Sequence, residues 1–191
     1  NDTPALARTS NLNEELGQVE YIFSDKTGTL TRNQMQFRQC TIGSKAYGDM
    51  SDGYTGPKFV DSDENEAALA DPLVQFEDKR VQKLLAKGDK TAVEFVTLLA
   101  ICHTVIPETK PDGTKTYEAS SPDEAALVAA ARALGYQFTD RTLKTVTFAT
   151  PKGDRQYQLL NVLEFNSTRK RMSIIVKSPE GEIILYCKGA D

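Results

Sequence analysis

Asp25 follows the short run Val19-Glu20-Tyr21-Ile22-Phe23-Ser24 and opens the string Asp25-Lys26-Thr27-Gly28-Thr29-Leu30-Thr31. The run is β-rich and short, the profile of a buried strand. Open α/β sheets gather ligands at the carboxyl ends of such strands. The residues after Asp25 are small or flexible, so their loop can approach a phosphoryl group and offer it amides and hydroxyls. Lys26 adds positive charge. A carboxylate in this position can attack phosphorus and become an aspartyl phosphate. Nucleophile and phosphate are both anionic, so the step requires a bound Mg²⁺ and cationic donors. The plainer reading is a structural Thr/Gly turn after an Asp at a strand end, which is a common arrangement.

The chain has 191 residues, 39% of them hydrophobic and 26% charged, enough for one large domain or two modest ones with a buried core. Acidic side chains outnumber basic ones, 27 to 23, and the net charge is −4. That balance argues against a nucleic-acid partner, which requires a basic face. Cys40, Cys102 and Cys187 are far apart, fit no metal spacing and suit a reducing compartment. No apolar run reaches the roughly 18 residues of a membrane helix. The best candidate, 92–106, is short and carries Glu94 and His103. Both ends read as cut, since the chain begins without Met and stops just after a strand, so a larger parent protein is expected.

Residues 35–47 alternate apolar and polar until Gly43 interrupts, which predicts strand, turn, strand. Residues 48–71 are acidic, Gly-containing and aperiodic, the pattern of a mobile surface loop. Pro72 can start a helix whose stripe is Leu73, Phe76, Val81, Leu84 and Leu85. A second helix is expected over 91–103, with His103, the sole histidine, on its face and no triad or metal partner beside it. Pro111-Asp112-Gly113 marks a turn. Ser121-Pro122-Asp123-Glu124 opens a third helix over 124–134. Ser121 suits N-cap, Pro122 suits N1, and Glu124 at N3 completes a capping box. Gly135 is placed to end that helix. Strands are expected over 145–150, 157–165, 172–177 and 182–188, with turns at 152–154 and 179–181. The sum is an α/β start followed by an α+β body that ends in antiparallel strands.

The whole string from Asp25 to Thr31 resembles the phosphorylation motif of P-type ATPases, ion and lipid pumps of the haloacid dehalogenase superfamily. The resemblance implies that Asp25 is the phosphorylated residue, with Lys26 beside it in the catalytic loop. Thr27 would help hold the transferred phosphate and, through its backbone carbonyl, the Mg²⁺. Asp25 and Thr27 are therefore the implied metal ligands. Many phosphatases of the superfamily carry a second Asp, a general acid and base, two residues after the nucleophile. Thr27 stands there instead and is a poor base near neutral pH. The acyl phosphate is then expected to persist until another group activates water, as a pump requires.

Further stretches resemble the type IV P-type ATPases, the phospholipid flippases. They are Arg8-Thr9-Ser10-Asn11-Leu12-Asn13-Glu14-Glu15-Leu16-Gly17, Tyr117-Glu118-Ala119-Ser120-Ser121-Pro122-Asp123-Glu124-Ala125-Ala126-Leu127, Leu163-Glu164-Phe165-Asn166-Ser167-Thr168-Arg169-Lys170-Arg171-Met172-Ser173 and Cys187-Lys188-Gly189-Ala190-Asp191. The similarity spans the chain, with 48–116 its variable part. It implies a haloacid dehalogenase-like phosphorylation-domain strand and loop over 1–34. Residues 35–191 would be an α+β nucleotide-binding cap domain with an antiparallel sheet, incomplete at its C-terminus.

By that resemblance Glu124, Phe165, Ser167, Lys170, Met172, Lys188, Gly189 and Ala190 are the implied nucleotide contacts. Phe165 can stack on adenine, worth about 1–3 kcal/mol by analogy with other base stacking. Lys170 and Lys188 offer cations to phosphates or the purine edge, and Gly189 lets the backbone approach the ligand. Each has a plain alternative. Phe165 could be core, Lys170 part of a solvated basic turn, Met172 a filler of core gaps and Glu124 a capping-box partner of Ser121. Lys188 is the hardest to explain by packing alone. Many ion pumps carry Arg where Ser167 stands, which leaves one cation fewer for the nucleotide and implies a compensating Arg beyond residue 191.

The resemblance implies ATP and Mg²⁺ as cofactors and a multi-pass membrane parent with this segment on its cytosolic side. Its implied partners are a phospholipid, bound by membrane helices outside this sequence, and a two-span accessory subunit. Further motifs of the phosphorylation domain would lie beyond Asp191, so the isolated chain is expected to bind nucleotide at best and to be inactive. An ion-pumping P-type ATPase and a free-standing ATP-binding module are the alternatives. The stretches 8–17 and 120–127 disfavour the first, and the unfinished ends disfavour the second.

Overall fold

Alternating burial along the C-terminal half dictates the centre of the molecule. Val146 and Phe148 in β6 (Thr145–Thr150), Met172, Ile174 and Val176 in β8 (Arg171–Lys177) and Tyr186 in β9 (Ile183–Gly189) all point to one face and are buried. With β5 (Gln137–Arg141) and β7 (Gly153–Leu163) they make a five-stranded antiparallel sheet in the order β5-β6-β7-β8-β9. The computed structural model describes residues 13–48, 71–109, 115–119 and 121–190. The chain divides into two compact units, Asn1–Asn33 and Gln34–Asp191.

Helices α3 (Lys90–Ile101) and α4 (Pro122–Ala133) cover the buried face of the sheet. Val96, Leu99, Ala100 and Ile101 from α3 and Val128, Ala130 and Ala131 from α4 share one core with Phe138, Phe148 and Ile174. The other face is open, and Ile183 and Leu185 are exposed on it. This is the α+β body, its antiparallel strands consecutive in sequence.

The caps of α4 follow local chemistry. Ser121 is its N-cap, Pro122 fills the first turn, and Gly135 follows it at φ +87. Gly135 N–H donates to Arg132 O and Tyr136 N–H to Ala131 O, the paired bonds of a Schellman ending. The strand pair β1 (Gln39–Ile42) and β2 (Lys45–Gly48) turns at Gly43 and Ser44, both in the left-handed region.

Several expectations are corrected. Helix α2 (Lys79–Lys87) starts at the N-cap Asp78, whose carboxylate accepts Arg80 N–H, and not at Pro72. Phe37 claims the segment before it: Phe37 N–H donates to Leu73 O at 2.8 Å and Gln75 N–H to Phe37 O at 2.9 Å. The antiparallel strands β3 (Ile106–Thr109) and β4 (Lys115–Glu118), on either side of the expected turn in sequence, were not foreseen. Strand β5 was not foreseen, and β7 ends at Leu163, two residues before Phe165. Of the loop expected over 48–71, residues 49–70 lie outside the described residues, as does the turn at Pro111-Asp112-Gly113.

In the first unit α1 (Asn13–Leu16) is a single turn, and no strand forms over 19–24. Phe23 is 95% exposed and Ile22 87%. A buried strand needs neighbours to take its ladder hydrogen bonds and cover its faces. Among the described residues of this unit there is no other strand to do so.

Candidate functional site

Glu124 lies in the first turn of α4, where Ser121 Oγ accepts Asp123 N–H at 3.2 Å. The carboxylate of Glu124 does not return to Ser121, so the expected capping box is not made. It is taken by groups distant in sequence. Oε2 accepts Thr104 N–H at 3.1 Å and Thr104 Oγ1–H at 2.8 Å, and Oε1 accepts Lys188 Nζ at 2.8 Å. Burial pushes the Glu124 pKa up, but the hydrogen bonds from Lys188 and Thr104 outweigh it and hold the carboxyl below its ordinary value.

Lys188 sits near the end of β9, paired with Met172 on β8, and Gly189 pairs with Arg171. A Cβ at Gly189 would meet Lys170 O and Arg171 Cβ at 2.6 Å. The absent side chain here permits close approach of β8, a reason beyond access for a ligand. Ala190 follows and is exposed.

The β7–β8 connection brings the other residues to this same end of the sheet. Lys170 N–H donates to Asn166 O at 2.8 Å and Arg169 N–H to Asn166 Oδ1 at 2.8 Å, closing the turn that contains Ser167. Arg169, not anticipated as a site residue, reaches Ser173 Oγ at 3.1 Å and the Leu163 and Glu164 carbonyls at 3.4 Å. Phe165 is 62% exposed, so it is not core. It borders a shallow recess of about 620 Å³ with Val162, Leu163, Glu164, Asn166 and Arg169. Ser167 and Lys170 are exposed, and Lys170 adopts the left-handed φ of +51. Met172 is only 3% exposed and belongs to the core, facing the helices.

An exposed aromatic ring, a partly buried Lys–Glu pair and the exposed Ala190 thus lie at one end of the sheet. Such a set can stack a planar ring and meet a polar edge or an anion. His103 corrects another expectation, because α3 stops at Ile101 and His103 lies beyond it, fully buried. Burial first, then the nearby Arg141 charge, depress its pKa to about 3. Cys102 is buried and its thiol is pushed up to about 11 by burial, which makes it unreactive.

In the first unit Asp25, Lys26 and Thr27 enter a wide turn over Lys26–Leu30. Thr27 (φ −81, ψ 119) and Gly28 (φ 82, ψ −10) have the angles of a type II turn, which requires positive φ at its third residue. Thr31 N–H closes the loop onto Lys26 O at 3.1 Å. All of these side chains are exposed. Among the described residues no group of three or more His, Cys, Asp or Glu could hold a metal ion. The Asp25 carboxylate and the Thr27 carbonyl are two hard oxygen donors. That sparse set fits Mg²⁺, which binds through one or two carboxylates and completes its shell with water and phosphate oxygens.

A family model described as P-type ATPase, cytoplasmic domain N, matches residues 91–191, more than half of the chain. The chain belongs to this P-type ATPase family. It is 52% identical over 191 residues to phospholipid-transporting ATPase IC of Xenopus tropicalis, covering 100% of this chain and 15% of that protein. Phospholipid-transporting ATPase ID of Homo sapiens is 52% identical over 196 residues, covering 99% of the chain and 16% of that protein. Phospholipid-transporting ATPase IC of Homo sapiens is 49% identical over 193 residues, covering 100% of the chain and 15% of that protein. The chain therefore spans less than a fifth of the length of these relatives.

Proposed function

We propose that this chain is a cytosolic segment of an ATP-driven phospholipid flippase. Residues 35–191 bind ATP, and Asp25, in the phosphorylation-domain segment 1–34, is transiently phosphorylated to drive lipid movement between leaflets. The observation that carries the reading is that the Lys188–Glu124 pair and an exposed Phe165 lie at the same end of the sheet. Kinship with phospholipid-transporting ATPases over the whole chain supports the substrate class.

Each residue then has a task. Phe165 stacks on the adenine, and Glu124 and Lys188 meet the polar edge of the nucleotide. Ser167, Lys170, Gly189 and Ala190 shape the surrounding surface, while the core residue Met172 supports Lys188, its partner across β8 and β9, from beneath. The Asp25 carboxylate attacks the γ-phosphorus in line; the new O–P bond forms as the bond to ADP breaks, and ADP leaves. Lys26 offsets charge in the loop. The Asp25 carboxylate and the Thr27 carbonyl would hold Mg²⁺, which when bound would supply Lewis-acid neutralisation of the phosphate oxygens. Thr27 provides no base for hydrolysis, so the aspartyl phosphate survives long enough to drive a conformational change. Among the described residues no helix is long and apolar enough to cross a membrane. The phospholipid and a two-span accessory subunit are assigned to the remainder of the parent protein.

Calorimetric titration of the chain with ATP tests the binding claim. Saturable binding weakened by both Phe165→Ala and Lys188→Ala is expected, and binding indifferent to both overturns it. Labelling the whole parent protein with γ-labelled ATP tests the other claim: Asp25→Asn abolishes the acid-stable label, and a label that persists overturns it.

A further inference from the structure

The corner between α3 and β3 is fastened more heavily than a chain reversal requires. Arg141, half-buried on β5, donates through one terminal nitrogen to Ile101 O at 2.6 Å and through the other to His103 O. Its guanidinium also lies over the Phe138 ring, 5.7 Å from the centroid. His103 holds the corner from within. Val105 N–H can only donate, so His103 Nδ1, 3.2 Å away, accepts, and the proton sits on Nε2, 2.8 Å from Ala100 O. The ring packs edge-on against Phe138 at 4.6 Å between centroids.

Thr104 lies between these two clamped residues, and its N–H and hydroxyl both converge on Glu124 Oε2. The other oxygen of Glu124 holds Lys188. A continuous series therefore runs from Arg141 on β5, through the corner, to α4 and the end of β9. A carboxylate fixed through one oxygen by two converging donors has its plane set, and that plane sets where the ammonium on the other oxygen lies.

We propose that Arg141 is a positioning residue for the Glu124–Lys188 pair and acts on it through the clamped Thr104. The functional part of this proposal rests on the reading of Glu124 and Lys188 as nucleotide-binding residues. The positioning itself is testable without nucleotide. Arg141 does not touch the pair with a hydrogen bond; it fixes the geometry in which Thr104 presents its donors. Lys does not reproduce this role, because a single ammonium cannot span two carbonyls as the planar fork does.

Among the described residues the charged and titratable groups that act on or feel Glu124 are Lys188 from β9, Arg141 from β5, and Cys102 and His103 from the corner, with the Thr104 hydroxyl beside them. Arg141→Lys keeps the β5 charge, so a change in Glu124 titration in that variant reports geometry and not lost charge. The experiment follows the Glu124 side-chain carboxyl by carbon-detected NMR titration in the wild-type chain, Arg141→Lys and Thr104→Val. Each titration is paired with ATP calorimetry and thermal melting. In both variants the Glu124 pKa rises toward its ordinary value, and the ATP Kd weakens about five-fold, the change carried by one hydrogen bond of ordinary strength. A merely structural Arg141 lowers the melting temperature and leaves the Glu124 titration and the Kd of the folded chain unchanged. That result overturns the proposal. Thr104→Val, an exposed near-isosteric change, keeps the test decisive if Arg141→Lys does not fold. Failure of the wild-type chain to bind ATP overturns the nucleotide reading alone, and the Glu124 titration still decides the positioning.

Discussion

Lys188 Nζ and Glu124 Oε1 are 2.8 Å apart, with side-chain exposures of only 17% and 12%, and join the end of β9 to the first turn of α4. A partly buried pair is costly to break on one side, because the remaining charge loses its partner without full access to water. Lys188→Ala is expected to destabilise the chain by about 1.5–3 kcal/mol, the range for a hydrogen bond to a charged group. Lys188→Met combined with Glu124→Leu should lie closer to wild type than the sum of the single changes. Urea denaturation of the wild type, Lys188→Met, Glu124→Leu and the double variant measures this directly. The pH dependence has a definite sign. The folded pKa of Glu124 is depressed, so its contribution is complete above the ordinary value of 4.5 and is lost as pH falls through the folded value.

Phe165 separates binding from stability. At 62% exposure it contributes little packing, so Phe165→Ala should change the unfolding free energy by less than about 0.5 kcal/mol. A stacked base, in contrast, loses about 1–3 kcal/mol without its aromatic partner. The expected result is an unchanged melting temperature with an ATP Kd raised about five-fold or more. An unchanged Kd in calorimetry removes Phe165 from the site.

What was legible in the sequence was what local chemistry decides. Ser121, Pro122 and Gly135 bracket α4 because a cap, a fixed φ and a left-handed ending act within a few residues. The alternation in β6 and β8 is likewise local. Glu124 was recognisable as a residue of interest, but not through its actual partners, which lie 20 and 64 positions away. Pro72 misled because Phe37 draws 73–75 into a bridge, a competition that no helix-start pattern encodes. The run at 19–24 looks like a buried strand, yet it forms none among the described residues, since a strand is defined by its neighbours. Arg141 and Thr104 carried no signal, because their significance arises only when β5 meets the α3–β3 corner.

Gly189 tests the close approach of β8 and β9. Any Cβ there lies 2.6 Å from both Lys170 O and Arg171 Cβ, and neither is the free end of a flexible side chain. Gly189→Ala must therefore push the strands apart at the end of the sheet. A loss of about 1–3 kcal/mol, the usual range for overpacking, is expected in urea denaturation. Amide exchange should quicken at Arg171 and Met172 before it does at Val176, farther along the same strand. Uniform protection along β8 would contradict this account.

His103 supplies the acid-sensitive element of the fold. It is the chain's only histidine, buried and neutral, with a folded pKa near 3 against an ordinary value of 6.5. As pH falls below 6.5 the unfolded chain takes up a proton that the folded chain refuses, so stability declines. Linkage gives a loss of about 2 kcal/mol between pH 7.5 and pH 5, before carboxylates begin to titrate. His103→Gln removes the titrating group, so the variant should be less stable at pH 7.5 yet nearly flat down to pH 5. Urea midpoints at half-unit pH intervals measure both slopes. Equal slopes in the two proteins would show that another group carries the acid response, and would release His103 from its assignment as the neutral clamp between Ala100 O and Val105 N–H.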